Sequence, residues 1–272
     1  MKKDFSISTY RILLNALSQK GYTFRTYKHH SKSPSEKDIL LRHDVDARKE
    51  HSLQFARMQH EMGIVGTYYF RMIQQSFDPE VVKEIASLGH EIGYHYEDMD
   101  IANGDPHQAI KLFEKHLSQL REVTDVKTIC MHGSPLSKND NRELWNHYDY
   151  RDYGIIAEPY FDLDFSKVLY LTDTGRRWNG DKVSVRDRPA DGSINSKMEG
   201  KRPLSDQYNF RSTHEIIKAC EEGKLPDQIM FNFHPQRWTD NPLLWTQELI
   251  VQNVKNVAKR VLKKSRASSL SN

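Results

Sequence analysis

Between residues 38 and 132 the chain alternates short apolar runs with helical patterns, and each run stops on a polar cluster, three of which hold potential metal ligands. The runs are 38–43, 64–70, 89–97 and 126–131. They lead into Asp44 and Asp46, Arg71, His95 and Glu97, and His132. The spans between them read as helices: Arg48 to Met62 closed by Gly63, Pro79 to Leu88 after Asp78, and Pro106 to Val123 after Asp105. Asp is a good N-cap and Pro a good first helical residue. Helices of this length between short strands imply parallel pairing through crossovers. In a parallel barrel all strand C-termini share one face, where a site is built. No Gly-x-Gly-x-x-Gly or phosphate-loop sequence follows the early strands, which argues against a nucleotide-binding Rossmann domain.

The sharpest local signal is Leu40-Leu41-Arg42-His43-Asp44-Val45-Asp46. Side chains alternate on an extended strand, so Asp44 and Asp46 project to one face. Two close carboxylates repel unless a cation or a shared proton relieves them. The pair is therefore a candidate metal-and-base site. The competing reading is a polar loop in which either Asp caps the next helix.

Elsewhere the pattern predicts a helix over 6–20, a short strand over 22–27 and a polar loop over 28–37. The second half is less regular. Strands are expected at 153–157, 167–171 and 228–233, the last ending in His234-Pro235. A helix is expected over 212–222, and the polar excursion 180–208 reads as a functional loop. A closing amphipathic helix spans 242–263, and 264–272 reads as a disordered tail. One domain over 1–263 is expected. The formal charge of +3 on 272 residues is too small to make nucleic acid the main partner. Two cysteines exclude a disulfide scaffold. No apolar run approaches the ~20 residues of a membrane helix, and no signal core follows Met1. A cytoplasmic location is the simplest expectation.

Four motifs occur in order: Arg42-His43-Asp44-Val45-Asp46, Gly66-Thr67-Tyr68-Tyr69-Phe70, Gly89-His90-Glu91-Ile92-Gly93-Tyr94-His95 and Phe233-His234-Pro235. With them the chain resembles the polysaccharide deacetylase superfamily, the NodB-homology group or carbohydrate esterase family four, in its divergent His-Asp-Val-Asp branch. The resemblance covers roughly residues 38 to 240. It implies an α/β fold, a distorted, incomplete (β/α) barrel, and metal-dependent hydrolysis of an N-acyl or O-acyl group on a sugar. It assigns Asp44 as general base, Asp46 and His95 as metal ligands, and His234 as general acid. The family's second metal histidine falls at Met99, and a thioether is a poor ligand for the cations involved. His132, at the end of the next strand, is the expected substitute, with Glu97 and Asp98 behind it.

The implied cofactor is a divalent ion, zinc before cobalt, manganese or nickel. The implied substrate is an amino sugar carrying an acetyl or formyl group, in surface polysaccharide biosynthesis. Glu158, Tyr160, Asp173, Arg176 and Trp178 follow late strands and are expected on the rim as substrate-binding residues. Arg176 and Arg177, with Arg186 and Arg188, suggest an anion clamp for a nucleotide-linked or lipid-linked sugar. His43 and His90 are expected to support the site from outside it. Two other classes compete. A non-catalytic carbohydrate-binding relative that has lost the metal site is kept open by Met99, since losing a ligand can abolish metal affinity. A glycosyltransferase, with Asp-Val-Asp holding metal and sugar nucleotide, is disfavoured because about forty residues before the motif are too few for its nucleotide-binding half.

Overall fold

A computed structural model describes residues 3–134, 137–178 and 195–269, with side chains of the last helix described as far as Val257. The strands are β1 (Thr23–Arg25), β2 (Asp38–Val45), β3 (Thr67–Phe70), β4 (Glu91–Tyr96), β5 (Ile129–Met131), β6 (Leu169–Thr172) and β7 (Gln228–Phe233). The helices are α1 (Ile7–Gln19), α2 (Tyr27–Lys32), α3 (Lys49–Glu61), α4 (Pro79–Ser87), α5 (Asp98–Ile101), α6 (Pro106–Arg121), α7 (Pro159–Asp162), α8 (Thr213–Glu221) and α9 (Pro242–Ser269).

The sheet runs β5-β4-β3-β2-β7-β6, and β1 pairs with the foot of β2 below β3. Every strand pairing is parallel. This is the curled sheet of an incomplete (β/α) barrel. β2 is its centre, buried along its whole length because β3 and β7 flank it and helices cover its outer face. The strand expected at 153–157 contracts to one bridge, Thr128 to Ala157, beyond β5. The remaining gap toward β6 is spanned by side chains, with the Tyr160 and Tyr170 hydroxyls 3.5 Å apart.

Two local expectations fail. The loop expected from residue 28 begins with α2, because Thr26 caps it by accepting from the His29 N–H at 3.3 Å. The closing helix continues past residue 263 to Ser269, where a disordered tail was expected. Lys, Arg and Ala are strong helix formers, so polarity alone does not stop a helix there. The expected loop 180–208 falls mostly outside the described residues; its described part forms short turns at Ser196–Met198 and Leu204–Gln207.

Candidate active site

β2 builds the floor of the site. Arg42 and Asp44 lie on the same face of the strand and both are buried. The Arg42 guanidinium forks onto Asp44, Nε to Oδ1 at 2.8 Å and Nη2 to Oδ2 at 2.7 Å. Asn232 of β7 donates to Asp44 Oδ2 at 3.0 Å. Asp46 follows just beyond the strand, and the Gln236 amide donates to its Oδ2 at 3.3 Å. Its Oδ1 is buried and accepts no hydrogen bond.

Three imidazoles point at that carboxylate. His95 Nε2 and His132 Nε2 each lie 3.7 Å from Asp46 Oδ1, and His234 Nε2 lies 3.8 Å from Oδ2. The same His95 and His234 nitrogens stand 3.6 and 4.0 Å from Asp44 Oδ2. The other ring nitrogen is held by a hydrogen bond in His95 and His234 and faces a carboxylate as an ion pair in His132. His95 Nδ1 donates to the Cys130 carbonyl at 2.8 Å across the β4–β5 pairing. His132 Nδ1 lies 3.0 Å from Glu97 Oε2, and Arg71 in turn forks onto Glu97 at 2.9 and 2.6 Å. His234 Nδ1 donates to Asp173 Oδ1 at 2.6 Å. Asp173 is also held by Arg237 at 2.8 Å and the Trp238 indole N–H at 2.6 Å. These contacts of Nδ1 turn each Nε2 toward the pocket.

The charges follow from these contacts. Burial opposes ionisation of Asp44, but Arg42 and then His95 hold its carboxyl below the usual range. Burial likewise opposes ionisation of Asp46, yet His132, His234 and His95 keep it well below that range. Glu97 is drawn down to about 2, burial being outweighed by His132 and Arg71. His95 is pushed down to about 4 by burial, although Asp44 works against this, so its ring is neutral at pH 7 with a free Nε2 lone pair. His132 is raised, because Glu97 and Asp46 outweigh its burial.

This donor set can hold a divalent cation. It offers one carboxylate oxygen that is buried and unpartnered, with two imidazole nitrogens facing it. Ligands on a tetrahedral zinc at ~2.0–2.1 Å stand about 3.3 Å apart. The 3.7 Å spacings are a few tenths wider. Among the described residues no three His, Cys, Asp or Glu side chains are already closed into a cage.

Asp44, Asp46, His95, His132 and His234 are thus brought to one pocket from β2, β4, β5 and β7. The expected rim is not. Glu158, Tyr160, Asp173, Arg176 and Trp178 are all buried. Glu158 caps α7 through the Tyr160 and Phe161 N–H groups and accepts from the Met131 N–H at 3.1 Å. Tyr160 accepts from Arg42 Nη1 at 3.2 Å. Asp173 braces His234. Arg176 donates to the Trp245 carbonyl at 2.9 Å and stacks on that ring. Trp178 donates to Thr213 at 2.9 Å and packs against Phe233. The expected rim position is corrected for all five, which stand in the walls; Asp44, His95 and His234 are as buried, so burial by itself assigns no role. Arg177 alone of the expected clamp is exposed, and Arg186 and Arg188 lie outside the described residues.

Asp98, the other carboxylate weighed as a ligand, faces away; it accepts from Tyr94 at 2.9 Å and pairs with His116 at 2.8 Å. Met99 is buried in the apolar core. His43 donates to the Thr67 carbonyl at 3.1 Å, and His90 to the Ala56 carbonyl at 2.9 Å. The residues that sequence reasoning undervalued are Arg42, Glu97, Arg71 and Asn232. For Arg42 the signal was present: it stands two residues before Asp44 on a strand.

No family model matches the chain, and no curated protein matches it. Among solved structures it is similar to a CE4 family pseudoenzyme from Bacillus anthracis at 12% identity, covering 83% of this chain and 62% of that one, with a TM-score of 0.44. It therefore spans less than two thirds of that structure's length. A CE4 esterase of Streptococcus mutans is 11% identical over 91% of each chain, with a TM-score of 0.44. The Xyl-CE4 domain of a multidomain xylanase from the hindgut metagenome of Trinervitermes trinervoides is 13% identical over 85% of this chain and 92% of that domain, with a TM-score of 0.40. These likenesses are too low to carry weight beside the chain's own geometry.

Proposed function

We propose that the chain is a metal-dependent hydrolase that removes an N-acyl group, acetyl or formyl, from an amino sugar. The observation that carries this reading is the convergence of three imidazole nitrogens on the buried, half-unpartnered carboxylate of Asp46, beside a second buried carboxylate. Asp46, His95 and His132 would hold the cation, and zinc suits this mixture of oxygen and nitrogen donors. When bound it would supply Lewis acidity for the acyl carbonyl and favour ionisation of a nearby water. Asp44 takes the water's proton; Arg42 and Asn232 fix its orientation. His234 donates to the departing nitrogen from Nε2. Asp173 stabilises the imidazolium this needs and keeps Nδ1 turned away.

One observation favours a second reading. Arg42 occupies both oxygens of Asp44 and holds it below the usual carboxylate range, so its basicity is low. A carbohydrate-binding protein that holds the metal without turnover accounts for that pairing. The test incubates zinc-loaded or cobalt-loaded protein with N-acetylated and N-formylated amino sugars, free and carrier-linked, and assays the released acid. Turnover lost in Asp44→Asn and His234→Ala supports the hydrolase. Metal bound without turnover of any of them supports the binder.

A further inference from the structure

Among the described residues four that are not glycine hold a positive φ: Phe5, Arg48, Asn103 and Arg176. Asn tolerates the left-handed region, whereas a long side chain rarely enters it unless it is held there. Two of the four flank the site. Arg48, at φ 51°, comes two residues after Asp46 and opens α3 as its N-cap, without a capping bond from its side chain. Arg176, at φ 55°, closes the turn that begins at Asp173, and its N–H donates to the Asp173 carbonyl at 2.8 Å. Such conformations persist only where the surroundings over-determine them.

Both arginines reach to the same helix. Arg48 Nη1 lies 3.8 Å from Glu248 Oε2 on α9 and 3.5 Å from the Gln236 carbonyl. Arg176 Nη1 donates to the Trp245 carbonyl at 2.9 Å, and its guanidinium stands 4.7 Å from the centre of that residue's ring. Glu248 is the only acidic residue of α9, and it is buried. Burial lowers the pKa of Arg176, and of the carboxylates that act against this Glu248 acts most. One buried carboxylate therefore serves both turns.

Glu248 is itself fixed by Gln252, whose amide donates to its Oε1 at 2.7 Å. One helical turn further on, Asn256 donates to the Gly175 carbonyl at 2.9 Å, so the residue before Arg176 is tied to α9 as well. The helix seats directly on that turn, since a Cβ on Gly175 would stand 2.4 Å from Asn256 Oδ1. The buried row Glu248, Gln252 and Asn256 is polar. The net stability such contacts add is modest; what they fix is the geometry of the groups they hold.

We propose that Glu248 is a positioning residue of the site: from α9 it holds Arg48 and Arg176 in their left-handed turns, and so fixes Asp46 on one side and, through Asp173, His234 on the other. Resting on the hydrolase reading, this makes α9 a clamp on the metal-binding carboxylate and on the general acid.

The test compares the full chain, Glu248→Ala and Glu248→Ala/Arg48→Gly by amide hydrogen exchange without metal. The amides followed are His51, which donates to the Arg48 carbonyl at 2.8 Å, and Arg176. Glu248→Ala should speed exchange at both about tenfold or more and leave the amides of β2 unchanged. Glycine enters the left-handed region freely and is accepted at an N-cap. Arg48→Gly should therefore return His51 to the wild-type rate and leave Arg176 fast. Unchanged exchange at both amides, equal acceleration across β2, or acceleration at His51 that the glycine leaves in place overturns the proposal. A second comparison reads the site. Zinc affinity should fall about tenfold in Glu248→Ala and recover in Glu248→Ala/Arg48→Gly, whereas turnover at saturating zinc should stay low in both. Equal zinc affinity in the wild type and Glu248→Ala, or turnover that recovers together with affinity, overturns the positioning role. If the wild type binds no zinc and hydrolyses nothing, the hydrolase reading fails while the exchange result stands by itself.

Discussion

Arg42 and Asp44 form a buried ion pair at the heart of the barrel, and its cost decides what substitution there does. Desolvating two charges is expensive, and removing one partner strands the other. Arg42→Met should therefore destabilise the fold by roughly 3–5 kcal/mol in urea titration. Arg42→Met/Asp44→Leu should recover much of that loss. A single variant as stable as the wild type would mean that Asp44 is not ionised in the folded chain. Asp173 acts differently, through His234. Asp173→Asn should lower turnover about a hundredfold or more and leave zinc content unchanged. A variant that loses zinc instead would place Asp173 among the groups that organise the metal.

At the scale of elements, β4 shows how the site is stacked. Gly93 stands below His95 on the same face, and the Tyr69 ring lies across it, so a Cβ there would meet Tyr69 Cε1 at 2.3 Å. Gly93→Ala should cost roughly 1–3 kcal/mol by overpacking and shift His95, measurable as lower stability together with weaker metal binding. α7 carries a titrating cap. Burial pushes Glu158 up to about 7, against the Met131 N–H and Arg42. In the unfolded chain this carboxyl ionises near the ordinary glutamate value, so the folded state holds the proton longer. Stability is then lost as pH rises from about 4.5 through about 7. Glu158→Gln lacks this loss. Between pH 5 and 8 the wild type should lose about 2–3 kcal/mol relative to the variant; parallel curves would mean that Glu158 is ionised throughout. The strand and helix order of the first half was legible because hydrophobic runs, caps and stop glycines are local signals. Asp44, Asp46, His95 and His234 were legible because each sits at a strand end. Glu158, Asp173 and Trp178 occupy the same kind of position and were misread as rim. Position along a strand does not say whether a side chain turns to solvent or into the wall; the packing of α7, α8 and α9 decides that.

Across the whole molecule, the pocket exists only because a curled parallel sheet sets the ends of four strands on one side. His132 is the clearest case. Residue 99, four positions after His95, belongs to the apolar core in this chain, while the end of the neighbouring strand sets His132 Nε2 3.7 Å from Asp46 Oδ1. Zinc binding by the full chain, measured by calorimetry for the wild type and for His132→Ala, tests the shared pocket most directly. The account predicts one zinc per chain in the wild type and an affinity at least about tenfold lower in the variant. No zinc in the wild type, or equal affinity in both, would contradict it.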